Sequence, residues 1–336
     1  MDLRSLRIAC LAVLVAGPVA AGSRPDAHHW VLAIHGGAGV INRGDLTPEK
    51  DAAYRAGLGA ALEAGSKVLR GGGSSLDAVE ATLRVLEDDP IFNAGRGAVF
   101  TAQGRNELDA SIMDGRTRAA GAVTGVTRTK NPISLARAVM ERSPHVMLAG
   151  DGADAFSREQ GLEQVDPAYF RTDERWKQLE DWRKEHSSAI DPTHRFGTVG
   201  AVALDTQGHL AAGTSTGGLT GKQWGRVGDS PVIGAGTYAA DGICAVSATG
   251  TGEYFIRASA ARQVCDRIAW KHQDVRAAAS ATIADIGGIG GDGGLIAIDA
   301  RGRIAFAMNS PGMYRGWMTA NAAPRTAIYA DEAGPK

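Results

Sequence analysis

The chain is poor in cysteine, has no excess of either charge and has few long apolar runs, and each shortage removes a class of protein. Three cysteines in 336 residues cannot build a disulfide scaffold, so stability must come from a core. One of them, Cys10, lies near the N-terminus, and sequence leaves open whether Cys244 and Cys265 pair. No His/Cys cluster has zinc spacing. With 36 Lys+Arg against 37 Asp+Glu the net charge is −1, without the excess of basic residues that marks a nucleic-acid binder. Beyond the N-terminal segment no run is apolar enough to propose a membrane span. No internal repeat is present. Residues 217–222 brush against a phosphate-loop pattern but fail it, because Thr216 stands where the first glycine is required and Gln223 follows Lys222.

What is abundant is apolar content, 44%, and glycine, 45 residues. The first supplies a large core in one domain or two small ones. The glycines cluster in short motifs without a collagen-like period and read as tight turns and close backbone approaches. The N-terminus reads as a secretory signal over residues 1–21. Arg4 and Arg7 precede the apolar run 8–16, and Pro18 precedes the small residues Val19, Ala20 and Ala21. Export to the periplasm or medium is therefore expected, the alternative being a buried N-terminal helix.

Periodicity predicts a strand at 31–34, helices at 48–69 and 75–86, strands at 108–113 and 119–127, and a helix at 133–141. From about 151 to 197 the composition turns polar and reads as a mobile linker, with 173–185 as a candidate surface helix. Strands at 199–204 and 209–214 flank a hairpin turn. A strand at 245–248, helices at 253–270 and 274–286, and a hairpin of 293–299 with 303–308 complete the pattern. Strands in antiparallel pairs, with helices in separate pairs, predict an antiparallel sheet sandwich covered by helices.

The chemistry concentrates around Gly197-Thr198, where a polar segment ends and an apolar strand begins. Cutting that bond gives Thr198 a free α-amine beside its own hydroxyl, a recognised way to activate a threonine nucleophile. Such an amine has a pKa of about 7.7–8 and is partly neutral near neutral pH. Gly-Thr at a strand start is common, so its weight comes from three motifs further along the chain. In Gly213-Thr214-Ser215-Thr216-Gly217-Gly218, Thr216 ends the hairpin partner and is placed to face Thr198, unless the segment is an ordinary polar turn. In Gly225-Arg226-Val227-Gly228-Asp229-Ser230, Arg226 suits a carboxylate and Asp229 an ammonium, the groups of an amino acid; a local Arg226–Asp229 ion pair is the plainer alternative. In Thr249-Gly250-Thr251-Gly252-Glu253, the Thr249 hydroxyl and a glycine N–H suit an oxyanion, or Thr251 merely caps a helix.

Together with His35-Gly36-Gly37-Ala38-Gly39 and Asn93-Ala94-Gly95-Arg96-Gly97, these motifs resemble the plant-type L-asparaginase/isoaspartyl peptidase family of N-terminal nucleophile hydrolases over residues 30–329. The resemblance implies an α+β fold, an αββα four-layer sandwich. It implies self-cleavage into an α subunit (22–197) and a β subunit (198–336), both within one domain, and commonly a dimer of αβ units. It implies Thr198 as nucleophile, Thr216 as its support, Thr249 with Gly250 as oxyanion hole, and Asn93 approaching from the α subunit. Arg226 would bind the substrate α-carboxylate, and Asp229 with the Gly252 region its α-amine. Backbone carbonyls of Leu86, Glu87, Asp89, Phe92, Ala94 and Arg96 would ligate a structural sodium ion, with no cofactor in catalysis. The activity implied is release of L-aspartate from β-aspartyl dipeptides and L-asparagine. Cleavage of the sugar–asparagine linkage is one alternative, and amino-acid binding without catalysis another. No nucleic acid, and no membrane after signal removal, is expected as partner.

Overall fold

The computed structural model describes residues 29–39, 41–44, 46–185 and 197–335. The expected signal at 1–21 and the end of the expected linker, 186–196, lie outside the described residues. The elements run β1 (Val31–Gly39), α1 (Pro48–Arg70), α2 (Ser75–Asp88), β2 (Leu108–Asp114), β3 (Ala120–Val126), α3 (Pro132–Arg142), β4 (Met147–Ala149), α4 (Gly150–Glu159) and α5 (Asp173–Glu185). They continue with β5 (Val199–Leu204), β6 (Leu210–Thr216), β7 (Thr237–Ala240), β8 (Cys244–Gly250), α6 (Gly252–Ala258), α7 (Ala260–Lys271), α8 (Val275–Gly288), β9 (Gly293–Asp299), β10 (Ile304–Met308), β11 (Gly312–Thr319) and β12 (Ala322–Tyr329).

The strands form two sheets. The larger has the order β12-β11-β1-β5-β6-β2-β3-β4 and the smaller β10-β9-β8-β7. All their pairings are antiparallel except β3 with β4. Successive side chains on a strand point to opposite faces, and here both faces of the larger sheet are covered. On β1, Leu32 and Ile34 join Leu58, Leu62, Leu83 and Ile133 from α1, α2 and α3. Val31 and Ala33 turn the other way, onto Val246, Leu295 and Ala297 of the smaller sheet. The smaller sheet is covered outside by α7 and α8, through Val264 and Ile283. The result is helix, sheet, sheet, helix, as the α+β sandwich reading requires. Burial on both sides is why strands such as β5 read as continuous apolar runs.

Local chemistry sets the helix ends. The side chains of Thr47, Ser74 and Asp274 accept from backbone N–H groups at the starts of α1, α2 and α8. Two expectations need correction. Residues 151–159, placed by composition in a mobile linker, lie in α4 instead, whereas the candidate surface helix at 173–185 is present as α5. Leu179 is buried, Trp176 packs edge-on to Phe100, and Asp154 accepts from Thr127 and Arg128 backbone N–H groups. Few apolar residues suffice because charged side chains satisfy the neighbouring loops. The single helix expected at 253–270 is broken at Ser259, which is left-handed (φ 49°). The first N–H groups of α7 are drawn to loop carbonyls, Ala261 to Ala235 and Arg262 to Gly234. Cys244 and Cys265 form a disulfide that ties α7 to β8.

Candidate active site

The β5–β6 hairpin builds the centre. Gly200 lies opposite Thr214 and Val199 opposite Ser215, so the same register carried one residue outward sets Thr198 against Thr216. Both threonines are buried, and the Thr198 hydroxyl donates to Thr216 Oγ1 at 3.1 Å. Thr216 Oγ1 also accepts from the Gly218 N–H at 3.0 Å and donates its own proton to the Gly197 carbonyl at 3.2 Å. The facing of Thr198 and Thr216 expected from the hairpin is thus present.

The Gly197 carbonyl has a second, shorter donor. Asn93 Nδ2, on the turn after α2, lies 2.6 Å from it and also donates to Gly218 O at 2.8 Å. Asn93 Oδ1 is held by the Val99 N–H at 2.9 Å, which fixes the amide orientation. Two hydrogen-bond donors therefore polarise the one carbonyl whose bond to Thr198 is continuous here. Gly37 closes over this bond from β1. Its φ is +112°, and a Cβ there would stand 2.8 Å from the Gly197 Cα. Only glycine meets both conditions without strain.

A narrow cleft opens from Thr198 toward Gly228, Asp229, Arg226 and Gly250. Thr249, at the end of β8, is fully buried and its Oγ1 accepts from the Ala38 N–H at 3.3 Å, keeping its own proton to donate. Gly250 follows directly and also lines the cleft. Gly252 opens α6, and a Cβ there would lie 2.8 Å from Asp229 Oδ1. Asp229 Oδ2 is buried and has no hydrogen-bond partner among the described residues. Burial raises the Asp229 carboxyl to about 7, against the pull of Arg226. An orphaned buried acceptor of this kind suits a ligand cation.

Arg226 has a partner that its sequence motif does not reveal. The local Arg226–Asp229 ion pair, the plainer alternative from sequence, is not the one observed. Instead Arg226 grips Glu253 of α6 in bidentate fashion, Nε to Oε1 and Nη2 to Oε2, both 2.9 Å. The signal was available in principle, since Glu253 starts the helix that Gly252 opens, but loop-to-helix distance cannot be read from spacing. Thr251 donates to Asp292 and makes no capping bond for α6.

Leu86, Glu87, Asp89, Phe92, Ala94 and Arg96 lie together at the C-terminal end of α2 and the turn after it. Among the described residues no group of three or more His, Cys, Asp or Glu side chains is placed to hold a metal. Burial lifts the Glu87 carboxyl to about 8. Its Oε1 accepts from Ser215 Oγ at 2.6 Å and from the Ile133 N–H at 3.0 Å.

Two helix-covered sheets, with a threonine preceded by glycine heading a buried strand, agree with the layered α+β fold of the N-terminal nucleophile hydrolases. A protein-family model described as asparaginase matches residues 28–328, and the chain belongs to that family. The isoaspartyl peptidase of Escherichia coli (strain K12) is 48% identical over 310 residues, covering 90% of this chain and 97% of the relative. The probable isoaspartyl peptidase/L-asparaginase 2 of Arabidopsis thaliana is 42% identical over 325 residues, with 89% and 99% covered. The plant-type L-asparaginase of Pyrococcus horikoshii (strain ATCC 700860 / DSM 12428 / JCM 9974 / NBRC 100139 / OT-3) is 42% identical over 299 residues, with 85% and 95% covered.

The raised Asp229 carboxyl makes stability depend on pH. Its folded pKa of about 7 exceeds the ordinary 3.8, so its contribution is fully present below the lower value and lost as pH rises through the upper. Asp229→Asn cannot carry the charge. It is expected to melt above the parent protein at about pH 8 and beside it at about pH 4, as read by thermal denaturation across pH.

Proposed function

We propose that the chain is a self-cleaving threonine amidohydrolase that releases L-aspartate from β-aspartyl dipeptides and L-asparagine. The observation that carries this reading is the hydrogen-bonded path from the Thr198 hydroxyl through Thr216 to the Gly197 carbonyl, joined there by Asn93. In self-cleavage the Thr198 oxygen attacks the Gly197 carbonyl carbon. Its proton passes to Thr216, whose own proton passes to the Gly197 oxygen. Collapse breaks the C–N bond as the hydroxyl proton passes to the nitrogen, leaving an ester and the free Thr198 amine, and water then divides the ester into a Gly197 carboxylate and the Thr198 hydroxyl. Asn93 steadies the oxygen on which charge develops.

In turnover the freed amine serves as base for the Thr198 hydroxyl, which attacks the substrate side-chain carbonyl. Thr249 and the Gly250 N–H receive the oxyanion. Asp229, with its unpaired oxygen, takes the α-ammonium beside Gly252. Arg226 exchanges the Glu253 carboxylate for the substrate α-carboxylate, two bidentate pairs of the same geometry. An amine or ammonia leaves, and water frees L-aspartate from the acyl-enzyme. The names of the relatives support β-aspartyl peptides and asparagine over a glycosylated asparagine.

The sodium ion assigned to the 86–96 turn stays a proposal. The donor chemistry fits, because backbone carbonyls at a helix C-terminus suit a hard cation and the last turn of α2 carries no basic side chain. A melting temperature raised by sodium chloride and not by choline chloride is the expected result. The disulfide supports export, since such bonds persist in oxidising compartments. No described helix is long and apolar enough to cross a membrane. Signal removal after 21 and pairing of αβ units complete the proposal, and native mass spectrometry reads both.

Intact mass and N-terminal sequencing are expected to show two fragments, the second beginning at Thr198. Thr198→Ala is expected to stay one chain and to hydrolyse neither substrate; wild-type turnover by it overturns the reading. Arg226→Ala is expected to be cut normally and to lose hydrolysis of both substrates. Full activity in that variant removes the assigned clamp.

A further inference from the structure

Beneath the nucleophile, five polar side chains form a row between the two sheets, where the space would ordinarily be apolar. They are His35 on β1, Ser247 on β8, Thr214 on β6, Thr237 on β7 and Ser111 on β2, and all are fully buried. His35 Nδ1 lies 3.0 Å from the Thr198 carbonyl oxygen, and Nε2 lies 2.9 Å from Ser247 Oγ. Ser247 Oγ is 2.7 Å from Thr214 Oγ1, to which Thr237 Oγ1 donates at 2.6 Å. Ser111 Oγ, at the far end, is shared between Thr237 Oγ1 at 2.7 Å and the Ser230 carbonyl at 2.6 Å.

The chemistry of these groups sets the direction of the bonds. A carbonyl oxygen only accepts, so the ring nitrogen facing Thr198 carries the proton. Burial holds His35 neutral, its pKa lowered to about 3, so the ring has one N–H and Nε2 must accept. Ser247 therefore donates its one proton to His35, and the Thr214 hydroxyl divides its own proton between Ser247 Oγ and the Gly236 carbonyl 3.1 Å away. The Thr198 carbonyl thus leaves the ring one tautomer, and Ser247 satisfies its bare nitrogen. Burying such groups costs free energy unless each finds a partner, and here each does.

Gly200 gives a second, independent sign. It lies within β5, a position where glycine weakens pairing. A Cβ on it would stand 2.0 Å from Ser247 Oγ and 2.1 Å from His35 Nε2. The strand that carries the nucleophile omits a side chain at the point where the His35–Ser247 bond passes.

We propose that His35 is a positioning residue for Thr198: Ser247, at the head of the hydroxyl row, anchors Nε2 of the Nδ1–H tautomer, and that N–H holds the Thr198 carbonyl so that the hydroxyl and amine of the same residue keep their aim. The inference rests on Thr198 being the nucleophile. His35 itself takes no proton during the reaction. Disturbing the lock therefore changes the reaction rate without touching the groups assigned to substrate binding.

The test pairs a spectroscopic reading with kinetics. Long-range proton–nitrogen NMR of the parent protein, with the His35 signal assigned by its loss in His35→Asn, is expected to show Nδ1–H and a bare Nε2. A protonated Nε2 overturns the proposal, and this reading needs no variant to be active. Ser247→Ala is expected to leave Nε2 without its donor, to loosen the ring and to slow both self-cleavage and kcat by about ten- to a hundredfold, the scale of a small misplacement, with KM unchanged. His35→Asn, which offers an amide donor near the Nδ1 position, is expected to recover activity that His35→Leu lacks. A folded Ser247→Ala protein that cuts itself and turns over at parental rates overturns the proposal. If Thr198→Ala is inert while Ser247→Ala is parental, only the positioning role falls; if Thr198→Ala is active, the nucleophile assignment falls first.

Discussion

The register between β5 and β6 is the constraint on which the rest of the site depends. With Gly200 opposite Thr214, residues 198 and 216 meet on the face turned toward the smaller sheet. A slip of one residue would turn Thr198 into the helix layer and remove it from Thr216, Thr249 and His35 together. Continuous burial on both faces prevents that slip, because every shifted side chain would meet the wrong layer. The short turn between the strands adds to it, with Asp205 Oδ1 accepting from the Gln207 and His209 N–H groups. Catalytic geometry and core packing are specified here by the same contacts.

The electrostatics of the cleft are what the proposed ligand would need. Arg226 holds a carboxylate of the protein, and Asp229 keeps an oxygen without a partner. One group is occupied by a stand-in and the other is waiting. The cost of burying Asp229 appears as its raised pKa, and an incoming ammonium would relieve it. Glu253 is half exposed, so releasing it into solvent is mild compared with leaving Arg226 unpaired.

Much of this was legible in the sequence, and the failures have physical causes. Thr198, Thr216 and the strand pair carrying them were readable because a hairpin is a local structure with a period of two. Thr249-Gly250 and Gly225 to Asp229 were readable as motifs, since glycine and hydroxyl residues clustered at strand ends have few other uses. The Arg226–Glu253 pair was not readable, because a tertiary distance between loop and helix leaves no periodic trace. The row from His35 to Ser111 was hidden for the same reason: each member sits singly on a different strand. α5 carries one buried leucine among charges, so it was legible at 173–185 as a surface helix, while its docking through side chains such as Arg175, bonded to the carbonyls of Ile91 and Gly97, was not. β11 and β12 escaped notice because Gly312, Gly316 and Pro324 interrupt their apolar pattern.

The strand order of the larger sheet has a consequence for the proposed division of the chain between Gly197 and Thr198. β1 comes from the first fragment and lies between β11 and β5 of the second; β6 of the second pairs with β2 of the first. The fragments are interlaced across three ladders within one sheet, and pulling them apart means dismantling that sheet. Yet the sheet was assembled while a covalent link still held both parts at high effective concentration. Once that link is gone, the route by which the molecule folded is closed. The divided molecule would be held by the height of its unfolding barrier more than by any ability to find its shape again, as an arch stands after its scaffold has been taken away.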